Sequence, residues 1–274
     1  MDLAERCVVV TGGASGIGRA MCLRFGALGA AVTVGDLDGD GAAATAAAIV
    51  DAGGRASART CDVRHEAEIV GLVDHARAVF GPIDLFCSNA GVPAGGGPEA
   101  PDAVWALAWE VHTMAHVWAA RAVLPEMLAR GSGYLLHTAS AAGLLTNLGA
   151  APYAVTKHAA VAFAEWLAIT YGDAGIRVSC LCPQGVRTPL LVGAADELAG
   201  AVVLASGELM EPDAVADAVV AGLADERFLI LPHPVVTDYW RAKVADYDRW
   251  LAGMRRLQAR LLASTGSTGP PGLA

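Results

Sequence analysis

Short runs rich in β-branched residues alternate along this chain with longer, alanine-rich segments. Helix-length segments lie between the runs, each ending near Gly or Pro, for example at 17–29, 66–80, 102–129 and 153–172. The runs predict strands at 7–12, 31–36, 55–62, 84–91, 134–140, 177–183 and 228–232. This alternation predicts an α/β fold, in which a doubly wound parallel sheet of about seven strands carries helices on both faces.

The composition is typical of a soluble globular protein, with 54% hydrophobic and 17% charged residues. The formal net charge of −9 argues against a nucleic-acid partner. The N-terminus lacks the basic start and apolar run of a signal peptide, and no apolar stretch approaches the roughly 20 residues of a membrane span. We therefore expect a cytoplasmic protein with no membrane partner.

The mixed pattern runs through nearly the whole chain, which predicts a single domain over residues 1–262. Residues 263–274 are rich in Gly, Ser and Pro, which predicts a flexible tail. The six cysteines are scattered and lack disulfide or zinc-loop spacing, so we expect reduced, mostly buried thiols.

A glycine-rich segment, TGGASGIG at residues 11–18, joins the first predicted strand to the first predicted helix. Gly12, Gly16 and Gly18 stand where a Cβ would block the turn, the approach of a phosphate or the packing of the helix. Backbone N–H groups at a helix start can hold a pyrophosphate. A structural turn also needs glycines, but the strand–helix context favours a Rossmann-type dinucleotide site that includes Ser15 and Ile17.

Asp36 closes the second predicted strand, where a carboxylate can accept hydrogen bonds from both ribose hydroxyls of an adenosine. The same carboxylate would repel a 2′-phosphate, and neither the glycine-rich segment nor Leu37 supplies a cation to bind one. The predicted cofactor is therefore NAD rather than NADP, with Asp36 and Leu37 at its adenosine end. The alternative is that Asp36 is a plain strand-end or helix-capping aspartate.

Four motifs in this order resemble the short-chain dehydrogenase/reductase family over residues 5 to about 232. They are TGGASGIG, the NAG at 89–91, Ser140, and YAVTK beginning at Tyr153. The resemblance implies a site for the adenine, ribose and nicotinamide of the cofactor. Its implied residues are Asp62, Val63, Asn89, Ala90, Gly91, Tyr153, Lys157, Pro183, Gly185, Val186 and Thr188. The family commonly has Gly where this chain has Gln184.

Tyr153 and Lys157 are four residues apart, so they share one helical face. An alcohol that loses a hydride to a nicotinamide must also lose its hydroxyl proton, and a phenol is a poor base at neutral pH. A neighbouring ammonium is expected to lower the phenol pKa, and Ser140 to orient the substrate oxygen. A Tyr and Lys at this spacing are otherwise usually a solvated surface pair. With the other motifs, we predict an enzyme: an NAD-dependent short-chain alcohol dehydrogenase/ketoreductase.

His112 stands where the family usually carries an asparagine that holds a relay water beside the lysine. An imidazole can also bond a water, but its charge changes near pH 6.5, unlike that of an amide. His112 is therefore a predicted catalytic residue of the proton relay. The alternatives are an NAD-binding protein with little or no turnover, and a helix shifted by one residue in which His112 is merely packed. His112 and His116 have the spacing of metal ligands, but without a third ligand we predict no metal.

The segment 188–211 is mainly apolar and lies where the family places a mobile substrate-covering segment. Between Pro189 and Met210 its only charged residues are Asp196, Glu197 and Glu208, so it offers no cation to clamp an acid. We expect a hydrophobic secondary alcohol or its ketone as substrate, rather than a sugar or a carboxylate.

The resemblance also implies a homodimer or homotetramer built on the region 102–129 and the helix of Tyr153. The stretch 239–261 predicts a packed terminal helix, because an apolar stripe runs along it: Trp240, Val244, Tyr247, Leu251, Met254 and Leu261. The alternative is a membrane-surface helix.

Overall fold

The structure, a computed structural model, describes residues 1–193, 198–205, 207 and 209–264. Within these residues one parallel sheet has the strand order β3-β2-β1-β4-β5-β6-β7. Its strands are β1 (Cys7–Thr11), β2 (Ala31–Asp36), β3 (Arg55–Thr60), β4 (Leu85–Ser88), β5 (Gly133–Thr138), β6 (Ile176–Leu181) and β7 (Leu229–Ile230). The predicted fold class, a doubly wound Rossmann-type sheet, is confirmed.

The helices follow the strands in alternation. They are α1 (Gly16–Ala27), α2 (Gly39–Asp51), α3 (Glu66–Phe80), α4 (Asp102–Trp109), α5 (Ala115–Arg130), α6 (Ala151–Tyr171), α7 (Pro189–Gly193), α8 (Leu198–Ala205), α9 (Pro212–Ala224), α10 (Val235–Ala245) and α11 (Tyr247–Ser264). No helix among the described residues is long and apolar enough to cross a membrane.

Alternation along each strand divides the core into two layers. In β1, Val9 faces one cluster, whereas Val8 and Val10 face the other, and all three are fully buried. Each buried valine contributes roughly 1.5–3 kcal/mol to folding. The six cysteines are free and buried, as predicted. The two apolar layers hold the sheet between helices, which fixes the positions of the loops that leave its carboxyl edge.

The strand order reverses at β1, because β2 pairs with one side of it and β4 with the other. Loops that leave two such neighbouring strands in opposite directions open a crevice at the carboxyl edge of the sheet. The glycine-rich segment after β1 and the NAG motif after β4 border this crevice.

Several predicted strands extended too far at their carboxyl ends. The run predicted to end at residue 91 ends at Ser88, because the Asn89 N–H donates to the side chain of Thr11 rather than to a strand. The run predicted to end at 183 stops at Leu181, and Pro183 has no N–H to continue a ladder. The residues that leave the sheet early are those that border the crevice.

Two predicted helices are interrupted. The helix expected over 102–129 contains a π-helical turn at Glu110–Met114, between α4 and α5. The helix expected over 239–261 breaks at Asp246, whose backbone is extended. The Asp246 side chain accepts the Arg249 N–H at the start of α11.

The predicted terminal stripe is packed only in part, since α11 contacts α10 and α8 and Met254 and Leu261 are half-buried. Tyr247 is 54% and Val244 66% exposed. Helix α11 also continues through Ser264, two residues into the predicted tail, and residues 265–274 lie outside the described residues.

Candidate active site

The glycine-rich segment forms a tight turn between β1 and α1. Gly12 and Gly16 have φ of 69° and 52°, a left-handed conformation that other residues rarely adopt. A Cβ on Gly18 would lie 1.9 Å from the Gly12 carbonyl oxygen, so the helix start can close on the strand only with a bare backbone there. Ser15 is the N-cap residue of α1, and its side chain makes no capping hydrogen bond.

Asn89 and Thr11 lock the two edges of the crevice together. The Asn89 side-chain amide donates to the Thr11 carbonyl at 3.0 Å, and the Thr11 hydroxyl accepts from the Asn89 and Ala90 N–H groups at 3.0 and 3.2 Å. Asn89 therefore holds the shape of the glycine turn as well as bordering the cleft.

The Asp36 carboxylate is held at the end of β2 by backbone donors. Its two oxygens accept from the N–H groups of Ala14 and Asp38, at 2.9 and 3.0 Å. Asp38, rather than Asp36, caps the following helix by accepting from Gly41. Leu37, beside Asp36, is 65% exposed and lines the cleft.

Arg64 is a cleft residue that the sequence did not single out. It forms a bidentate ion pair with Asp62, whose pKa it lowers through the side-chain hydrogen bonds. Asp62, predicted beside the adenine, thus presents a neutralised pair to the cleft.

His233 fastens the loop that follows β6. Its Nδ1 accepts from the Gln184 N–H at 3.2 Å, so Nε2 carries the proton and donates to the Gly185 carbonyl at 3.0 Å. Burial lowers the pKa of His233. The same carbonyl accepts the Met210 N–H, and Gly185 does not line the cleft. This arrangement supports the backbone where the chain carries Gln184.

Ser140, Tyr153 and Lys157 meet at the inner end of the crevice. Ser140 caps a 3₁₀ turn after β5 and is hydrogen-bonded to the Tyr153 phenol. Lys157 is buried, donates to the Thr138 carbonyl at 2.9 Å, and lies 5.7 Å from the centre of the Tyr153 ring.

The pKa of Tyr153 differs from the expectation. Burial raises it above the ordinary phenol value, and the hydrogen bond with Ser140 opposes the rise. The sequence predicted a net lowering by Lys157, but desolvation of the phenol gives a net rise here. Burial also lowers the pKa of Lys157 from 10.5 to about 8, so at neutral pH the ammonium still predominates.

His112 lies in the π-helical turn, fully buried beside the reacting groups. Its Nε2 accepts from the Val92 N–H at 3.1 Å, so Nδ1 carries the proton and lies 2.9 Å from the Thr156 hydroxyl. Its ring meets that of Tyr153 edge-on, with centroids 5.2 Å apart. Burial, with Lys157, lowers the pKa of His112 well below 6.5.

The sequence predicted that the charge of His112 changes near neutral pH. This prediction is wrong, because the ring is already neutral there. Both of its nitrogens have protein partners, so the geometry is that of a positioning residue rather than of a relay group. His116 does not join it but pairs with His137, with their Nδ1 atoms 2.9 Å apart. Within the described residues, no group of three potential ligands could hold a metal ion.

One cleft of about 1100 Å³ collects these groups. All the predicted site residues line it except Gly185 and His112. The others are Gly12, Ser15, Gly16, Ile17, Gly18, Asp36, Leu37, Asp62, Val63, Asn89, Ala90, Gly91, Ser140, Tyr153, Lys157, Pro183, Val186 and Thr188. Its volume exceeds the usual range for one small ligand, which leaves space for a dinucleotide and a second molecule.

The outer wall of the cleft comes from elements whose role the sequence did not indicate. From 188–211, the residues 188–191, 199–200 and 202–203 line it; Asp196, Glu197 and Glu208 lie outside the described residues. Helices α10 and α11 supply the rest, including Trp250 and three arginines. The sequence predicted no basic group at the substrate, but that prediction considered only the segment 188–211. An arginine stripe with helical spacing over 249–260 was the available signal.

The bare glycine turn, the helix N-terminus and the carboxylate at the end of β2 fit a dinucleotide, and Ser140 and Tyr153 offer hydroxyls to a substrate oxygen. The fold and the site therefore define a nucleotide-dependent oxidoreductase. Residues 6–198 match the short chain dehydrogenase family model. The chain belongs to this family and interconverts a secondary alcohol and its ketone with a nicotinamide cofactor.

Individual relatives agree with this assignment. The chain is 41% identical over 197 residues to the 1-deoxy-11-beta-hydroxypentalenate dehydrogenase of Streptomyces exfoliatus, covering 70% of this chain and 72% of the relative. It is 34% identical over 220 residues to the cis-4-hydroxycyclohexanecarboxylate dehydrogenase of Sinomonas cyclohexanicum, covering 79% and 88%. These relatives are dehydrogenases, so the alternative of a binding protein without turnover receives no support.

A solved structure is also similar. A short chain dehydrogenase/reductase from Burkholderia phymatum in complex with NAD is 30% identical, with a TM-score of 0.82 over 90% of this chain and 96% of that one.

Proposed function

We propose that this protein is an NAD-dependent dehydrogenase that acts on a hydrophobic, ring-bearing secondary alcohol and its ketone. The observation that carries the proposal is the convergence of Ser140, Tyr153 and Lys157 at the inner end of a largely apolar cleft. A relative supports a ring-bearing substrate, since it is named for a hydroxycyclohexanecarboxylate.

In this mechanism Tyr153 holds and moves the proton. During ketone reduction the phenol donates its proton to the substrate oxygen, and during alcohol oxidation the phenolate takes it back. Ser140 fixes the substrate oxygen by a hydrogen bond. The Lys157 ammonium favours the phenolate through its charge. A bound nicotinamide would supply the acceptor or donor of the hydride.

NAD is the proposed cofactor because Asp36 presents a carboxylate where a 2′-phosphate would have to lie. Glycine-turn N–H groups would hold the pyrophosphate. Arg64 does not change this assignment, since its guanidinium is paired with Asp62. The NAD complex of the Burkholderia phymatum protein supports a nicotinamide cofactor in this fold. We also propose a cytoplasmic homodimer or homotetramer.

The test is NAD(H) absorbance with a panel of cyclic secondary alcohols, aliphatic alcohols and sugars, each with NAD and NADP. Calorimetry measures cofactor binding in parallel. We expect turnover of cyclic alcohols with NAD. Tight NAD binding without turnover of any alcohol, or a preference for sugars, would overturn the proposal.

A further inference from the structure

Helix α11 lies along the outer end of the cleft. Arg249, Arg256 and Arg260 line the cleft, whereas the neighbouring Arg255 does not. Positions 249, 256 and 260 share one face of a helix. Their spacings of seven and four residues correspond to about two turns and about one turn. The three arginines therefore line the same opening.

This end of the cleft is the substrate end. Helix α10 is fixed to the loop after Ser140, since Lys243 donates to the carbonyls of Leu144 and Leu145 at 2.8 and 2.7 Å. Helix α11 packs against both α10 and α8, and α8 belongs to the segment expected to cover a substrate. The arginines are thus carried by the substrate wall rather than by the glycine turn.

The three arginines differ from most of the arginines in this protein. Among the described residues, the arginines that form ion pairs lie outside α11. No carboxylate of these residues lies within ion-pair distance of Arg249, Arg256 or Arg260. The chain as a whole carries a net charge of −9, so a basic helix at this opening is a local reversal of sign. Such a reversal at a cleft attracts anions.

The same cleft has an apolar wall. It includes Leu145, Leu191, Trp250, Met254 and Leu257. A neutral steroid or terpenoid alcohol would use that wall but would leave the guanidinium groups unused. A guanidinium matches a carboxylate with two parallel hydrogen bonds.

We propose that the substrate is an amphiphilic hydroxy acid: its secondary alcohol lies at Ser140 and Tyr153, its apolar skeleton against the wall, and its carboxylate at the α11 arginines. This inference rests on the proposed function and replaces the expectation that acids are excluded. Since the arginines are exposed, the carboxylate is recognised in partly solvated surroundings, and the preference is moderate.

The binding test uses probes that need no turnover. Calorimetry in the presence of NADH compares cyclohexanecarboxylate with cyclohexanecarboxamide. The proteins are the wild type, the triple variant Arg249→Gln/Arg256→Gln/Arg260→Gln, and the control Arg255→Gln. We expect the wild type and the control to bind the acid about tenfold more tightly than the amide, and the triple variant to lose this preference.

The turnover test compares 4-hydroxycyclohexanecarboxylate with its methyl ester. The ratio of kcat/KM for the acid to that for the ester should fall about tenfold in the triple variant only. The inference would be overturned if the wild type bound acid and amide equally, or if the triple variant kept the preference for the acid. It would also be overturned if the triple variant lost NADH affinity instead of that preference, a result that would assign the arginines to cofactor phosphates. An acid preference in binding without oxidation of either alcohol would instead count against the proposed function.

Discussion

Lys157 is held as a buried ammonium at a cost to folding. Its only hydrogen bond among the described residues is to the Thr138 carbonyl, and burial lowers its pKa to about 8. In the unfolded chain the same group has a pKa near 10.5, so the unfolded state binds more protons between pH 8 and 10.5. Stability should therefore rise with pH across that window.

Replacement of this lysine should stabilise the protein while removing its activity. A shift of this size corresponds to about 3 kcal/mol at pH 7, and loss of the bond to Thr138 offsets about 1 kcal/mol. Lys157→Met should thus raise the free energy of unfolding by about 2 kcal/mol at pH 7, measured by denaturant titration. The gain should shrink towards pH 10. A variant less stable than the wild type at pH 7 would contradict this account of the ammonium.

Asp36 should decide between the two nicotinamide cofactors. Asp36→Asn removes the charge but keeps an oxygen that can accept the Ala14 N–H, so the glycine turn should persist. With Leu37→Arg added, we expect the ratio of kcat/KM for NADP to that for NAD to rise about 100-fold. Leu37→Gln in the same background is the uncharged control. A wild type that already prefers NADP would refute the assignment.

The residue types of the site could be predicted from the sequence, but not their partners. Tyr153, Lys157 and Ser140 are recognisable by spacing, since helical geometry fixes which neighbours share a face. The neutral state of His112 was not predictable, because it depends on burial of the ring and on the nearby Lys157 charge, and both follow from tertiary packing. The α11 arginines were missed because a contact between distant segments leaves no local pattern.

At the scale of elements, the substrate wall depends on how α10 is fixed. The Lys243 side chain is buried, donates to two carbonyls after Ser140, and lies 5.0 Å from the ring of Trp250. Lys243→Met keeps the apolar stem but removes both hydrogen bonds. We expect faster hydrogen exchange in α10 and α11 and a loss of about 2 kcal/mol in unfolding free energy.

The functional readout of the same variant is a higher KM for the alcohol with little change in NAD affinity. Arg241→Met, on the same helix but 75% exposed at its side chain, is the matched control. Equal exchange rates in the wild type and Lys243→Met would show that this side chain does not hold the wall.

Element types were easier to predict than their ends. Hydrophobic period and length identified all seven strands, but the carboxyl ends of β4 and β6 were placed too late. Ladder hydrogen bonding ends where backbone groups find loop partners, as at Asn89, and a propensity pattern does not contain that information. The π turn around His112 is similar, because it depends on backbone hydrogen bonds that a residue pattern does not specify.

At the scale of the whole molecule, α6 presents an exposed apolar face. Val155, Ala162, Trp166 and Ile169 are exposed along one side of it, with Trp166 at 55% and Ile169 at 84%. An apolar stripe on the helix that carries Tyr153 supports the proposed self-association.

Charge on this face should separate the subunits. We expect the wild type to run as a dimer or tetramer by size exclusion with light scattering, and Trp166→Glu/Ile169→Glu to run as a smaller species. Val50→Glu, at an exposed position on α2, is the control and should keep the wild-type mass. A wild type that is monomeric at micromolar concentration would contradict the proposal.

The claim on which the account depends most is that the Tyr153 hydroxyl transfers the proton. Tyr153→Phe keeps the ring that packs edge-on against His112 and removes only that hydroxyl. With NAD and a cyclic secondary alcohol that the wild type oxidises, kcat of the variant should fall about 1000-fold, while the calorimetric Kd for NAD stays within about threefold. A variant that retains more than about a tenth of the wild-type kcat would contradict the account.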